Sequence, residues 1–144
     1  MKNIEELSGL ELLRSYVSGE RPHPSICETM PMQMVEINEG CVLFRVKANR
    51  NHLNPMGTVH GGFSATVLDS VTGCAVHTTL KMGESYATID LNIKLLKGVP
   101  EDRDLWAEGR IISLSKRIGV SEGTLKDDTG VLYSHATATC IIKR

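Results

Sequence analysis

Residues 54–76 read NPMGTVHGGFSATVLDSVTGCAV and hold one carboxylate, Asp69. From Asn51 to Leu80 it is the only formally charged side chain, with the imidazoles of His52, His60 and His77 the other ionisable groups. Two chemistries sit here at fixed spacing. At a helix start, the backbone N–H groups of His60-Gly61-Gly62 lack intrahelical partners and lie at the positive end of the helix dipole, which suits a carbonyl oxygen gaining negative charge. Glycines there also let a ligand approach the main chain closely; the structural alternative is that they only shape a loop-to-helix turn. Asp69 lies among Val67, Leu68 and Val71, where burial is expected, and an unpaired buried carboxylate is costly. Carboxylates kept in such places serve as nucleophiles or general bases; the structural alternative is an Asp bonded to the hydroxyl of Ser70 or Thr72.

The spacing constrains how these groups work together. Eight residues separate Gly61 from Asp69, roughly 12 Å along one helix axis. An attacking carboxylate or its water must come within about 3 Å of the reacting carbon, and the oxyanion donors within about 3 Å of its oxygen. One helix cannot do both for one substrate, whereas two copies packed antiparallel about a two-fold axis can, with Gly61 of one chain facing Asp69 of the other. The sequence therefore predicts an obligate homodimer with two shared sites.

The elements that position these groups follow from periodicity. Residues 3–18 are expected to form a helix, with Ile4, Leu7, Leu10, Leu13 and Val17 at helical spacing, followed by the turn-rich Arg21-Pro22-His23-Pro24. Strands are expected at 31–37 and 41–48, joined by Asn38-Glu39-Gly40, and then an irregular loop over 50–60. From Gly62 to Leu80 no proline intervenes and the length suits one long helix. Its Thr, Val and Gly content is poor for an isolated helix, so packing must hold it and it should be buried on nearly every side. In YATIDLNIKLL, Ala87, Ile89, Leu91, Ile93 and Leu95 alternate with Tyr86, Thr88, Asp90, Asn92 and Lys94. Runs at 104–114 and 118–126 and a final strand with Leu132, Ser134, Ala136, Ala138 and Cys140 on one face complete the set. That small-residue face suits a sheet wrapping closely around a helix. The expected class is α+β, a curled antiparallel sheet around one long central helix, with an extra N-terminal helix. We expect one domain over 1–144, with 1–24 as helix and linker and 25–144 as core.

Composition limits the partners. Net charge is −1, charged residues make up 23% and aromatics 4%, with Lys and Arg scattered, so no nucleic-acid partner is expected. Cys27, Cys41, Cys74 and Cys140 show no zinc-type spacing and are expected as reduced thiols in a cytoplasmic protein, with no metal. The start MKNIEELSGLELL lacks a signal-peptide h-region, and Gly57–Leu80 is too rich in Gly, Ser and Thr for a membrane span. His52, His77 and His135 lack metal-ligand partners and, with Trp106, are expected to be structural.

NPMGTVHGG, an Asp in the next helix and YATIDLNI downstream together resemble the PaaI-like (phenylacetate-degradation type) branch of hotdog acyl-CoA thioesterases, over nearly the whole chain beyond residue 30. The resemblance implies hydrolysis of an acyl- or aroyl-CoA to free acid and CoA, with no cofactor beyond the coenzyme A of the substrate. Asp69 would be nucleophile or general base and the Gly61 N–H would polarise the thioester carbonyl. Asn54 and His60 would orient the carbonyl, the water and the loop, and Thr88 would lie near the carboxylate of the facing subunit. As purely structural residues, Asn54 would close an Asx-turn before Pro55, His60 would fix the turn, and Thr88 would be a surface hydroxyl. Gly62 and Phe63 flank the site. Lys116 and Arg117, with Lys94 or Lys97, are the candidate phosphate contacts, although solvated surface charge accounts for any one of them. Dimers of dimers are common in that family.

Two other functions use the same fold. A hydratase or dehydratase pairs a His with a carboxylate for proton transfer, but the nine-residue spacing from His60 to Asp69 and the presence of Cys74 five residues after the Asp both differ from those patterns. A non-catalytic acyl-CoA sensor would carry a DNA-binding extension, for which the acidic N-terminal segment is unsuited.

Overall fold

The computed structural model describes residues 1–144. Six strands form one antiparallel sheet: β1 (Met32–Asn38), β2 (Cys41–Val46), β3 (Ser85–Leu95), β4 (Leu105–Leu114), β5 (Ile118–Lys126) and β6 (Leu132–Lys143), in the order β1-β2-β4-β5-β6-β3. Helix α1 (Gly9–Val17) lies against β1, α2 (Ile26–Thr29) is a single turn, and α3 (Gly61–His77) packs on β2, β3, β4, β5 and β6. This is the expected architecture of a curled sheet around one long helix.

The sheet admits α3 because its inner face is small. A Cβ added to Gly109 would overlap the Val71 carbonyl, and Ser121 Oγ donates to the Thr72 carbonyl at 3.0 Å. Ser134, Ala136, Ala138 and Cys140 of β6 are all buried, as the alternation predicts. Val67, Leu68, Val71 and Val76 are fully buried against this surface, each contributing about 1.5–3 kcal/mol. The hydroxyls that weaken the helix locally are satisfied within it: Thr66 Oγ1 donates to Gly62 O, Ser70 Oγ to Thr66 O and Thr72 Oγ1 to Leu68 O.

Three expectations are corrected. The helix expected over 3–18 is broken at Leu7–Ser8: a short 3-10 turn covers Ile4–Glu6, and α1 starts anew at Gly9. Ser8 and Glu11 form a reciprocal capping box, with Ser8 N donating to Glu11 Oε2 at 2.8 Å and Glu11 N to Ser8 Oγ at 3.3 Å, which fixes a helix start there. The alternation expected along β3 is interrupted by a bulge between Thr88 and Asp90. Tyr86 and Thr88 are half-buried, as are Leu91 and Ile93 beyond the bulge, while Ala87, Ile89 and Leu95 are exposed. One extra residue shifts the phase of a period-two pattern by one, so no single apolar face runs the length of the strand. The long helix is also not covered on every side, with consequences for Asp69 described below.

β3 is an edge of the sheet and eleven residues long, with Ile89 59% and Leu95 58% exposed. No helix of the chain is long and apolar enough to cross a membrane.

Candidate active site

The loop before α3 is built by its own polar side chains. Asn54 Oδ1 accepts from Met56 N at 3.0 Å and Thr58 N at 3.1 Å, and Asn54 Nδ2 donates to Thr58 Oγ1 at 2.8 Å. Gly57 turns the chain at φ +78°, and Leu53 bridges Val59. The Asx-turn geometry expected of Asn54 is therefore present. His52 is buried, with Nδ1 accepting from Asn49 N at 2.9 Å, Nε2 donating to Thr29 O at 2.6 Å and its ring packed on Phe63, so it is structural as expected.

His60 is the N-cap of α3. Its backbone N–H donates to His52 O at 2.7 Å, and its Nδ1 accepts from Gly62 N at 2.7 Å, which leaves Nε2 to carry the proton of the neutral ring. A Cβ on Gly62 would lie 2.8 Å from Nδ1, so the cap requires glycine there. The backbone N–H of Gly61 donates to no group of the chain, whereas Gly62 N is taken by the cap and Phe63 N by the His60 carbonyl. An unpaired donor thus stands at the positive end of a seventeen-residue helix. A cavity of about 240 Å3 opens on it, lined by His60, Gly61, Ser64, Leu95, Leu96 and Lys97. A second, of about 420 Å3, lies on the other side of the turn, beside Met30, Leu53, His60, Gly62 and Phe63. Phe63 is fully buried and closes the floor of that side.

Asp69 is exposed, contrary to the burial expected from its apolar neighbours. It projects from the strip of α3 that the chain's own sheet leaves uncovered, beside the half-buried Thr66 and Ser70. No hydrogen bond or ion pair of the chain engages its carboxylate. The hydroxyls of Ser70 and Thr72 are turned to backbone carbonyls instead, so the alternative of a locally bonded Asp is not realised. Its charge is felt by three neighbours. Burial pushes the Cys74 thiol up to about 12, with Cys27 and then Asp69 adding to the effect. Burial likewise raises the Tyr86 hydroxyl and the Cys140 thiol, and Asp69 reinforces both shifts.

Thr88 is half-buried on β3 with Oγ1 3.8 Å from Cys140 Sγ. The candidate cations are not gathered within one chain. Lys97 Nζ lies over the Tyr133 ring at 5.8 Å and borders the Gly61 cavity, Lys116 and Arg117 line a separate cavity beside the start of β3, and exposed Lys94 lines neither. Sequence reasoning missed Ser64, which is buried at the Gly61 cavity, and Arg144, which borders the other. Ser64 is one helical turn beyond His60, a spacing that could have found it. Burial lowers the His77 imidazole, whose ring packs against Tyr86, in keeping with a structural role.

A curled antiparallel sheet closed around one helix, with an unpaired donor at that helix's start, is the hotdog architecture of thioester hydrolases. The model of the family described as Thioesterase superfamily matches residues 56–134, and the chain belongs to that superfamily. The crystal structure of a phenylacetic acid degradation-related protein from Ralstonia eutropha JMP134 is similar at 30% identity and a TM-score of 0.81, covering 90% of this chain and 98% of that one. Human acyl-coenzyme A thioesterase 13 is 25% identical over 107 residues, 74% of this chain and 76% of that protein. A Streptococcus mutans UA159 protein with acetyl CoA bound has the same fold, at 24% identity and a TM-score of 0.72, over 78% of this chain and 88% of that one.

Proposed function

We propose that this chain hydrolyses an acyl- or aroyl-CoA thioester to the free acid and CoA, in sites shared between two subunits. One observation carries this reading: α3 presents an unpaired Gly61 N–H at its start and an unpaired, exposed Asp69 two turns further along. The two lie roughly 12 Å apart along the axis, too far to serve one carbonyl group. An antiparallel partner removes the difficulty. The open edge of β3, with exposed Ile89 and Leu95, is suited to pair with a copy of itself. Such pairing lays the start of one β3 against the end of the other. It brings the cavity at Ser85–Ala87, with Lys116 and Arg117, to the partner's Gly61 cavity, with its Lys97.

In this arrangement the Gly61 N–H of one subunit holds the thioester oxygen, a type of contact worth about 10²–10³ in rate. Asp69 of the other subunit takes a proton from the attacking water as a general base, a role worth about 10²–10⁴. The tetrahedral intermediate collapses by breaking the C–S bond, and CoA leaves as a thiolate that takes up the proton. As a nucleophile, Asp69 would instead form an acyl anhydride that water then opens. His60 fixes the turn through Nδ1 and keeps Nε2–H as its remaining donor, Asn54 holds the loop, and Thr88 lies near the carboxylate. Lys97, Lys116 and Arg117 meet the CoA phosphates. Support for the substrate class comes from the acyl-coenzyme A thioesterase 13 relative and from the acetyl CoA held by the Streptococcus mutans neighbour.

The test is turnover of a panel of acyl- and aroyl-CoAs by wild type and Asp69→Asn, with crotonyl-CoA hydration run in parallel. Hydrolysis that falls at least a hundredfold in the variant is expected. Hydration of crotonyl-CoA without thioester hydrolysis, or CoA-ester binding without turnover, would overturn the proposal. Single-turnover hydrolysis in labelled water distinguishes the two roles of Asp69, since only a nucleophile acquires solvent oxygen.

A further inference from the structure

The cavity of about 630 Å3 at the start of β3 is bordered by Tyr86, Lys116, Arg117, Ile142, Lys143 and Arg144. It belongs to the neighbourhood of Asp69, because a Cβ on Gly73, one helical turn beyond that residue, would meet the Tyr86 hydroxyl at 2.9 Å. Lys116 and Arg117 are the two central residues of the tight turn between β4 and β5, closed by Ser115 N donating to Ile118 O at 2.8 Å. Every carbonyl along this turn that faces the end of β6 is anchored from there. Arg144 Nε donates to Lys116 O at 2.7 Å, Arg144 Nη2 reaches Ser115 O at 3.4 Å, and Ile142 N donates to Arg117 O at 2.7 Å.

The third guanidinium nitrogen, Arg144 Nη1, donates to Glu84 Oε2 at 2.7 Å. The same carboxylate accepts from Lys81 N at 2.9 Å, so it is itself fixed to the turn that precedes β3. The guanidinium of Arg144 is thus engaged at all three nitrogens and its charge is matched by Glu84. The side chains of Lys116 and Arg117 are the reverse case: both residues are exposed and neither side chain has a hydrogen-bond or ion-pair partner in the chain. A flexible two-residue turn carrying two free cations would lose rotational and backbone freedom on gripping an anion. A turn whose carbonyls are already held loses less.

We infer that Arg144 is a positioning residue for recognition of the CoA phosphates, clamping the Ser115–Ile118 turn to Glu84 so that Lys116 and Arg117 meet a polyanionic nucleotide already in place. This rests on the acyl-CoA reading of the site. It assigns Arg144 a role through the turn rather than a contact with the phosphates, since each guanidinium nitrogen already donates to the protein and the charge is matched by Glu84.

The experiment compares wild type, Arg144→Gln, Arg144→Lys and Glu84→Gln with two substrates carrying one acyl group, the CoA thioester and the N-acetylcysteamine thioester, which lacks the nucleotide. Binding of free CoA by calorimetry is measured alongside. Arg144→Gln is expected to raise KM for the CoA ester and the Kd for CoA roughly tenfold, the loss of one charged hydrogen-bonded anchor, with kcat unchanged. Turnover of the N-acetylcysteamine ester should not move. Glu84→Gln should shift KM in the same direction by a smaller factor. Arg144→Lys restores the charge but not the fork, so its KM should stay near that of Arg144→Gln.

Full rescue by Lys would overturn the inference in favour of a simple charge contribution. Equal changes on both substrates, or no change on either, would overturn it in favour of a structural role or none. A wild type that binds CoA but hydrolyses neither ester would sink the thioesterase reading while the calorimetric arm still decides the role of Arg144. A wild type that binds no CoA would sink both.

Discussion

Replacing His60 separates its structural role from any part in chemistry. Its Nδ1 caps α3 by accepting from Gly62 N at 2.7 Å, and removing an N-cap acceptor costs about 1 kcal/mol. Unfolding entropy of about 2.1 cal/mol/K per residue gives this chain about 0.3 kcal/mol/K, so His60→Ala should lower Tm by about 3 °C. Asparagine is among the best N-cap residues, and the backbone of residue 60 already has the extended conformation a cap requires, at φ −63° and ψ 137°. His60→Asn should therefore recover most of the lost stability. It removes the Nε2–H, so turnover should stay depressed in both variants. Urea and thermal unfolding give the stability, and thioester hydrolysis under saturating substrate gives the rate. If His60→Ala unfolds with the wild-type midpoint, or His60→Asn is no more stable than His60→Ala, then the imidazole does not hold the start of α3.

Gly109→Ala places a methyl group against the Val71 carbonyl, which cannot yield without moving α3; a loss of about 1–3 kcal/mol is expected from denaturant midpoints. Asp127 is held down to about 2 from its ordinary 3.8, first by the Thr129 hydroxyl and then by the backbone N–H groups of Val131 and Thr129 and the charge of Arg103. A depressed carboxyl stabilises the fold above its unfolded pKa and ceases to do so as pH falls through its folded one. The stability gap between wild type and Asp127→Asn should accordingly be constant above pH 4 and close between about pH 4 and 2, as read by Tm against pH. Ile89→Lys introduces a charge on the exposed edge of β3; if the proposed dimer pairs through that edge, sedimentation should show a dimeric wild type and a monomeric variant that has lost hydrolysis.

The chain announces its architecture through features that act locally. The uninterrupted run after His60-Gly61-Gly62 is one helix, and the small alternating residues of β6 form the face against it. The signal for the break at Ser8 was also local, a Ser-x-x-Glu box, but the run of Ile4, Leu7 and Leu10 matched a continuous helix and concealed it. What sequence could not supply depends on distant partners. The bulge at Ile89 arises from the register of β3 on β6, which no pattern within β3 encodes. Asp69 is a sharper case. Its apolar neighbours imply burial, yet a helix lying on a curved sheet has one strip that its own chain does not cover, and Asp69 falls on it. Likewise, the anchoring of Lys116 by Arg144 spans 28 residues and that of Glu84 spans 60, so neither leaves a local trace.

Complementation between two inactive variants tests the shared site most directly. Gly61→Pro deletes the N–H at the first position of α3, where proline is well tolerated and the residue before it is already extended. Asp69→Asn removes the carboxylate. Each homodimer should be inactive. Mixed and re-annealed at equal amounts, they should form about one half heterodimers, each with one intact and one doubly altered site, restoring roughly a quarter of wild-type hydrolysis. A mixture no more active than its components, with heterodimers demonstrably present, would place Gly61 and Asp69 in the same site of one chain and contradict the shared active site.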